Sequence, residues 1–163
     1  MPPAPVRILI ADDSAVMRTL YAEVLTADGG FEIVGMVADG QAAVEACQTL
    51  RPQVVAMDIE MPGLNGLEAT TAIMRQCPTP VVVVSSALDS RASRLAMQAF
   101  GVGAVEVVPK PDLTNRTTGL RAIHHLVETL RAMSAVRVLR RRGDGRLWRG
   151  LFLCGLRADG DAV

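Results

Sequence analysis

Five short apolar blocks recur along the chain: Val6 to Ala11, Glu32 to Val37, Gln53 to Met57, Pro80 to Ser85 and Ala104 to Val108. They are rich in Val and Ile. Apart from the second, they run nearly continuously apolar instead of alternating with polar residues, as parallel strands covered on both faces do. Between them the period changes. Met17, Leu20, Tyr21, Val24 and Leu25 share one helical face, as do Ala43, Val44, Cys47 and Leu50. Ser14 and Asp39 stand where N-caps are wanted, and Asn65 followed by Glu68 has the spacing of a capping box. Asp89 is placed to cap a fourth helix, with Ala92, Leu95, Ala96, Ala99 and Phe100 inward. A fifth helix is predicted from about Arg116 to Met133, with Leu120, Ile123, Val127 and Leu130 inward.

Strand and helix that alternate in this way build βαβ units, and right-handed crossovers leave few ways to assemble them. The expected fold is α/β: a doubly wound five-stranded parallel sheet of order 2-1-3-4-5, a flavodoxin-like three-layer sandwich. Its strand order reverses between strands 1 and 3, and such sheets bind ligands at that switch point, outside the carboxyl ends of the strands.

At 163 residues the chain has room for one domain and a tail. No apolar run approaches the ~18 residues of a membrane span, and Met1 to Pro5 lacks the parts of a signal peptide, so a cytoplasmic location without membrane insertion is expected. Cys47, Cys77 and Cys154 have no close Cys or His in sequence and read as buried free thiols. Net charge is zero but unevenly spread: residues 1–130 hold fourteen acidic against nine basic side chains, and residues 131–163 hold eight arginines against three acids. This shift places a boundary near residue 134, with residues 1–134 as the domain and 135–163 as an arginine-rich linker or tail. Five glycines in the tail make it mostly irregular, with Leu151 to Leu156 able to pair as a short strand.

The acids carry the chemistry. Asp12 and Asp13 follow the first strand and Asp58 ends the third, so the fold brings all three into one crevice. Carboxylates so close repel one another and need a cation or raised pKa values. A hard divalent cation with oxygen ligands fits, and magnesium prefers few carboxylates, several waters and a substrate phosphate. The backbone carbonyl of Glu60 is a further candidate ligand. Lys110, the single lysine of the chain, follows the fifth strand between Pro109 and Pro111, which restrict its backbone; a cis bond at Pro111 would hold it more tightly still. Its ammonium is suited to meeting a phosphoryl oxygen or an aspartate. Ser85 ends the fourth strand, with a hydroxyl able to donate to a phosphoryl oxygen. Together these groups describe phosphoryl transfer with Asp58 as nucleophile, forming a transient acyl phosphate, while Lys110 and Ser85 hold peripheral oxygens.

At these residues the chain resembles the receiver domains of bacterial two-component response regulators. The matching pieces are Val6 to Ser14 with Met17 and Arg18, Asp58 to Gly66 (Asp-Ile-Glu-Met-Pro-Gly-Leu-Asn-Gly), Val84 to Ser86, and Val108 to Pro111, over about residues 5–133. Pro78 to Ser86 and Gly103 to Pro111 look most like the regulatory domain of the chemotaxis protein-glutamate methylesterase. The resemblance implies phosphorylation at Asp58 by a histidine kinase, a magnesium site on Asp12, Asp13, Asp58 and the Glu60 carbonyl, Ser85 as switch hydroxyl, and Lys110 as the phosphate-facing lysine. It also implies an output domain or target protein that the receiver controls, and a monomer or weak dimer.

The sequence departs from that pattern in places. No Gly-x-Ser-x-Gly-like nucleophile turn follows Met133, so no methylesterase is expected in these residues, and phosphorylation and dephosphorylation of Asp58 are the only chemistry expected. His124 and His125 read as helix surface. Val107 stands where receivers often carry a Tyr or Phe that swings inward, and a valine cannot report by ring rotation. The arginine run of the tail lacks a recognition helix, so nucleic-acid binding is not expected. Two alternatives remain open: a stand-alone receiver that acts through protein partners outside chemotaxis, and a magnesium-dependent phosphatase on the same scaffold. The phosphatase would need the carboxylate two residues after Asp58, Glu60, to act as acid and base although it leads directly into Met61-Pro62-Gly63, and would need a cap domain for substrates, which is not expected here.

Overall fold

The elements follow one another as β1 (Val6–Ala11), α1 (Ala15–Asp28), β2 (Phe31–Val37), α2 (Gly40–Leu50), β3 (Val54–Asp58), α3 (Gly66–Gln76), β4 (Val81–Ser85), α4 (Ser90–Val102), β5 (Glu106–Pro109) and α5 (Arg116–Met133). This computed structural model describes residues 3–86 and 90–139. The Asp89 cap and the strand expected at Leu151 to Leu156 lie outside the described residues. All strands are parallel, in the order β2-β1-β3-β4-β5, so the expected switch point lies between β1 and β3.

Alternation along the strands sends side chains into two layers. Leu9, Ala11, Val55, Met57, Val81 and Val83 meet Ala43 and Cys47 of α2, Ala69 and Ile73 of α3, and Ala99 of α4. Ile8, Ile10, Val54, Ala56, Val82, Val84 and Val108 meet Met17, Tyr21 and Leu25 of α1 and Leu126, Val127 and Leu130 of α5. Both faces of the three central strands are covered, which is why their sequences run apolar without alternation. Val138, just past α5, packs onto the α2–α3 layer.

The caps are built as their side chains predict. Ser14 accepts from the Met17 N–H, Asp39 from the Ala42 N–H, and Asn65 with Glu68 forms a complete capping box. Asn115 caps α5 by accepting from Thr117 and Thr118. The last strand begins at Glu106, two residues later than the apolar block suggests.

Two inward assignments are corrected. Leu120 is 57% exposed, because the buried position in the first turn of α5 is Gly119, whose backbone lies so close to Asp112 that an added Cβ would stand 2.6 Å from the Asp112 carbonyl oxygen. The inward stripe then continues through Leu126, Val127 and Leu130, with Ile123 half-buried. Phe100 is 47% exposed, since Ala99 takes the buried place on α4.

Candidate functional site

Each strand of the carboxyl edge delivers one part of the site. β1 runs out into Asp12 and Asp13, β3 ends on Asp58, β4 ends on Ser85, and Lys110 follows β5. Carboxylate oxygens of Asp12, Asp13 and Asp58 lie within 4.8 Å of one another. Asp12 and Asp58 are buried, at 1% and 3% exposure, while Asp13 opens to solvent. The Lys110 ammonium reaches between the buried pair, 2.8 Å from Asp58 Oδ2 and 2.9 Å from Asp12 Oδ2.

The surrounding backbone holds these groups in place. The Ser14 N–H donates to Asp12 Oδ1 at 2.8 Å, so one residue caps α1 with its side chain and orients a site carboxylate with its main chain. The Lys110 N–H donates to the Ser85 carbonyl at 2.8 Å, which ties the lysine to the end of β4. The Lys110–Pro111 bond is trans, so the lysine's position rests on this bond and its two carboxylates. The Glu60 side chain is exposed, and its N–H donates to Asp58 Oδ1 at 3.4 Å. Gly66, first residue of α3, donates to the Ile59 carbonyl and lies so close to β3 that a Cβ there would stand 2.0 Å from the Asp58 carbonyl oxygen.

The electrostatics follow from three carboxylates set against one ammonium. Burial pushes the Asp58 carboxyl above its usual range; the Lys110 hydrogen bond opposes this and Asp12 adds to it. Burial alone would lower Lys110, but its hydrogen bond to Asp58 and its ionic contact with Asp12 outweigh burial and raise it. Tyr21, on the buried face of α1, is pushed upward by burial and by the negative charge of Asp12 and Asp58. Asp12 Oδ2 is buried and faces Lys110 as an ionic contact without hydrogen-bond alignment. A buried oxygen held by an ionic contact alone, an excess of negative charge and an all-oxygen donor set suit a hard cation.

Ser85 is buried at the end of β4, the strand beside β3. Val107 packs into the α2–α3 layer, and its N–H donates to Glu106 Oε1 at 2.9 Å. The described cysteines are buried free thiols as expected, yet the fold brings Cys47 and Cys77 close enough to affect each other, and burial pushes Cys47 up to about 12. Sequence reasoning assigned no role to Ser14 N–H, Gly66 or Arg18. The available signals were the motif positions of Ser14 and Gly66, and a cation near the start of a helix at Arg18.

The response regulator receiver domain family matches residues 8–123. A curated relative, protein-glutamate methylesterase/protein-glutamine glutaminase 4 of Myxococcus xanthus, is 44% identical over 140 residues, which are 86% of this chain and 39% of that protein. The chain thus spans well under half the length of that relative. The crystal structure of the response regulator domain of Thermotoga maritima CheB superposes with a TM-score of 0.73 at 37% identity, covering 82% of this chain and 98% of that one. The CheX-CheY-BeF3-Mg+2 complex from Borrelia burgdorferi gives a TM-score of 0.63 at 25% identity, covering 76% and 90%. The acidic cluster matches the magnesium site of receiver domains. The chain belongs to the response regulator receiver domain family: it is a phosphoacceptor receiver of a two-component system, closely related to the regulatory domain of CheB-type methylesterases.

Proposed function

We propose that Asp58 is the phosphoacceptor and that a histidine kinase of a chemotaxis-type pathway is its donor. The observation that carries this reading is the Asp58 carboxylate at the end of β3, clustered with Asp12 and Asp13 and joined to Lys110 at 2.8 Å. An Asp58 oxygen attacks the phosphorus of a phosphohistidine, the P–N bond breaks, and the imidazole leaves with the electron pair and takes a proton. Lys110 swings its ammonium from the carboxylates to a peripheral oxygen of the incoming group, and the Ser85 hydroxyl donates to another. Asp12, Asp13, Asp58 and the Glu60 backbone carbonyl would hold magnesium, which would neutralise charge on the transferring group. That the related CheX-CheY complex from Borrelia burgdorferi includes Mg+2 and BeF3 supports a magnesium site in this chain.

Residues 1–134 act as the switch and residues 135–163 as the link to an output, a methylesterase or another target, in the cytoplasm. Relatives named as methylesterases support the chemotaxis assignment. Among the described residues no helix is long and apolar enough to cross a membrane.

Incubation with acetyl phosphate and magnesium tests the reading. The native chain should take up one phosphoryl group and lose the ability when the metal is chelated, and Asp58→Asn should take up none. Equal labelling of the variant would move the acceptor elsewhere.

A further inference from the structure

Position 18 is an unfavourable place for a cation. α1 begins at Ala15, and the first turns of a helix carry partial positive charge that favours acidic neighbours. The Arg18 guanidinium turns back past the helix start, where Nη1 donates to the Asp12 carbonyl at 2.7 Å and to the Asp13 carbonyl at 3.0 Å. Both contacts are to the main chain. Among the described residues, no ion pair joins Arg18 to either carboxylate.

The two carbonyls belong to the residues that supply two of the three clustered carboxylates. Asp12 has a second restraint in the Ser14 N–H. The Asp13 carboxylate has no hydrogen bond among the described residues, so its direction depends on how its backbone is held. A single side chain that fixes both peptide planes also fixes the directions in which both Cβ atoms leave them.

We propose that Arg18 is a positioning residue of the cation site: it clamps the Asp12 and Asp13 carbonyls and so aims both carboxylates at one shared ion. This rests on the magnesium reading above. Two effects of removing it oppose each other. Loss of a positive charge beside an acidic cluster would by itself tighten cation binding. Loss of the clamp loosens it, and outer-shell partners of metal ligands typically matter about 10- to 100-fold in affinity. The sign of the change therefore separates a positioning role from a purely electrostatic one.

Calorimetric titration of the full chain with magnesium chloride reads that sign. Arg18→Met keeps the aliphatic stem without donors and should weaken magnesium binding about tenfold. Arg18→Lys, whose ammonium has three donors, should restore most of the affinity. Melting midpoints measured without metal should differ little among the three proteins. Binding by Arg18→Met as tight as the native chain's, or tighter, overturns the proposal, as does a lysine variant no better than the methionine one. Asp13→Asn is titrated alongside: if the native chain shows no magnesium binding that depends on Asp13, the cation reading falls and this one with it. A native site that Asp13→Asn weakens and Arg18→Met does not would sink only the role of Arg18.

Discussion

At the amino edge of the sheet, Arg7 of β1 donates to the Leu50 and Arg51 carbonyls at 2.7 and 3.2 Å and closes the end of α2. Near the same edge Arg131 pairs with Asp28 and lies over the Phe31 ring, 5.6 Å from its centroid. At the carboxyl edge three carboxylates share Lys110, and one buried oxygen of Asp12 lacks an aligned donor. The first edge uses its charges to finish helix ends and join elements. The second keeps acids together at a cost that a cation or a phosphoryl group can relieve. The same sheet thus holds a satisfied edge and a deliberately unsatisfied one, and the chemistry lies at the latter.

Glycine substitutions give the largest test of this contrast. Gly66→Ala places a methyl 2.0 Å from the Asp58 carbonyl oxygen and 2.9 Å from the Ile59 Cα, backbone atoms that cannot step aside. A loss of about 3 kcal/mol in urea denaturation is expected, the upper end of overpacking costs. Gly29→Ala at the amino edge meets nothing within 4 Å and bears only the strain of its φ of +75°. That costs about 1 kcal/mol. Equal losses would mean that the acceptor strand is not as tightly enclosed as described.

Titration offers a smaller effect with opposite signs at the two edges. The folded Asp58 pKa is raised, so its ionisation opposes folding: the penalty is absent below the ordinary carboxylate pKa and fully present above the raised one. With a chelator present, Asp58→Asn should be more stable than the native chain at neutral pH, and the gap should close as pH falls through that window. The Asp28 pKa is lowered, first by its hydrogen bond to Arg131, so its stabilisation is present above the ordinary value and lost as pH falls through the lowered one. Asp28→Asn should be slightly less stable at neutral pH, the smallest change here because the pair is exposed. Melting midpoints that move in the same direction for both variants would contradict the contrast.

Much of the carboxyl edge is legible from sequence, because strand-end acids and a βαβ rhythm suffice to bring Asp12, Asp13, Asp58, Ser85 and Lys110 to one crevice. The capping box at Asn65 and Glu68 is legible for a similar reason, since its partners are neighbours in the chain. What escapes is contact between backbone and distant atoms. Nothing local in Gly119 announces that it takes the buried place and turns Leu120 outward. Cys47 and Cys77 meet only because α2 packs on α3. The reach of Arg18 back to two carbonyls depends on how β1 turns into α1, which periodicity does not encode.

The central claim is that the phosphoryl group sits on one carboxylate of the carboxyl edge. Borohydride reduction of the phosphorylated chain, which converts a phosphorylated aspartate to homoserine, followed by peptide sequencing by mass spectrometry, locates it directly. Homoserine at position 58, formed only when magnesium was present during phosphorylation, is the predicted result; homoserine at position 12 or 13, or at no aspartate, would contradict the account.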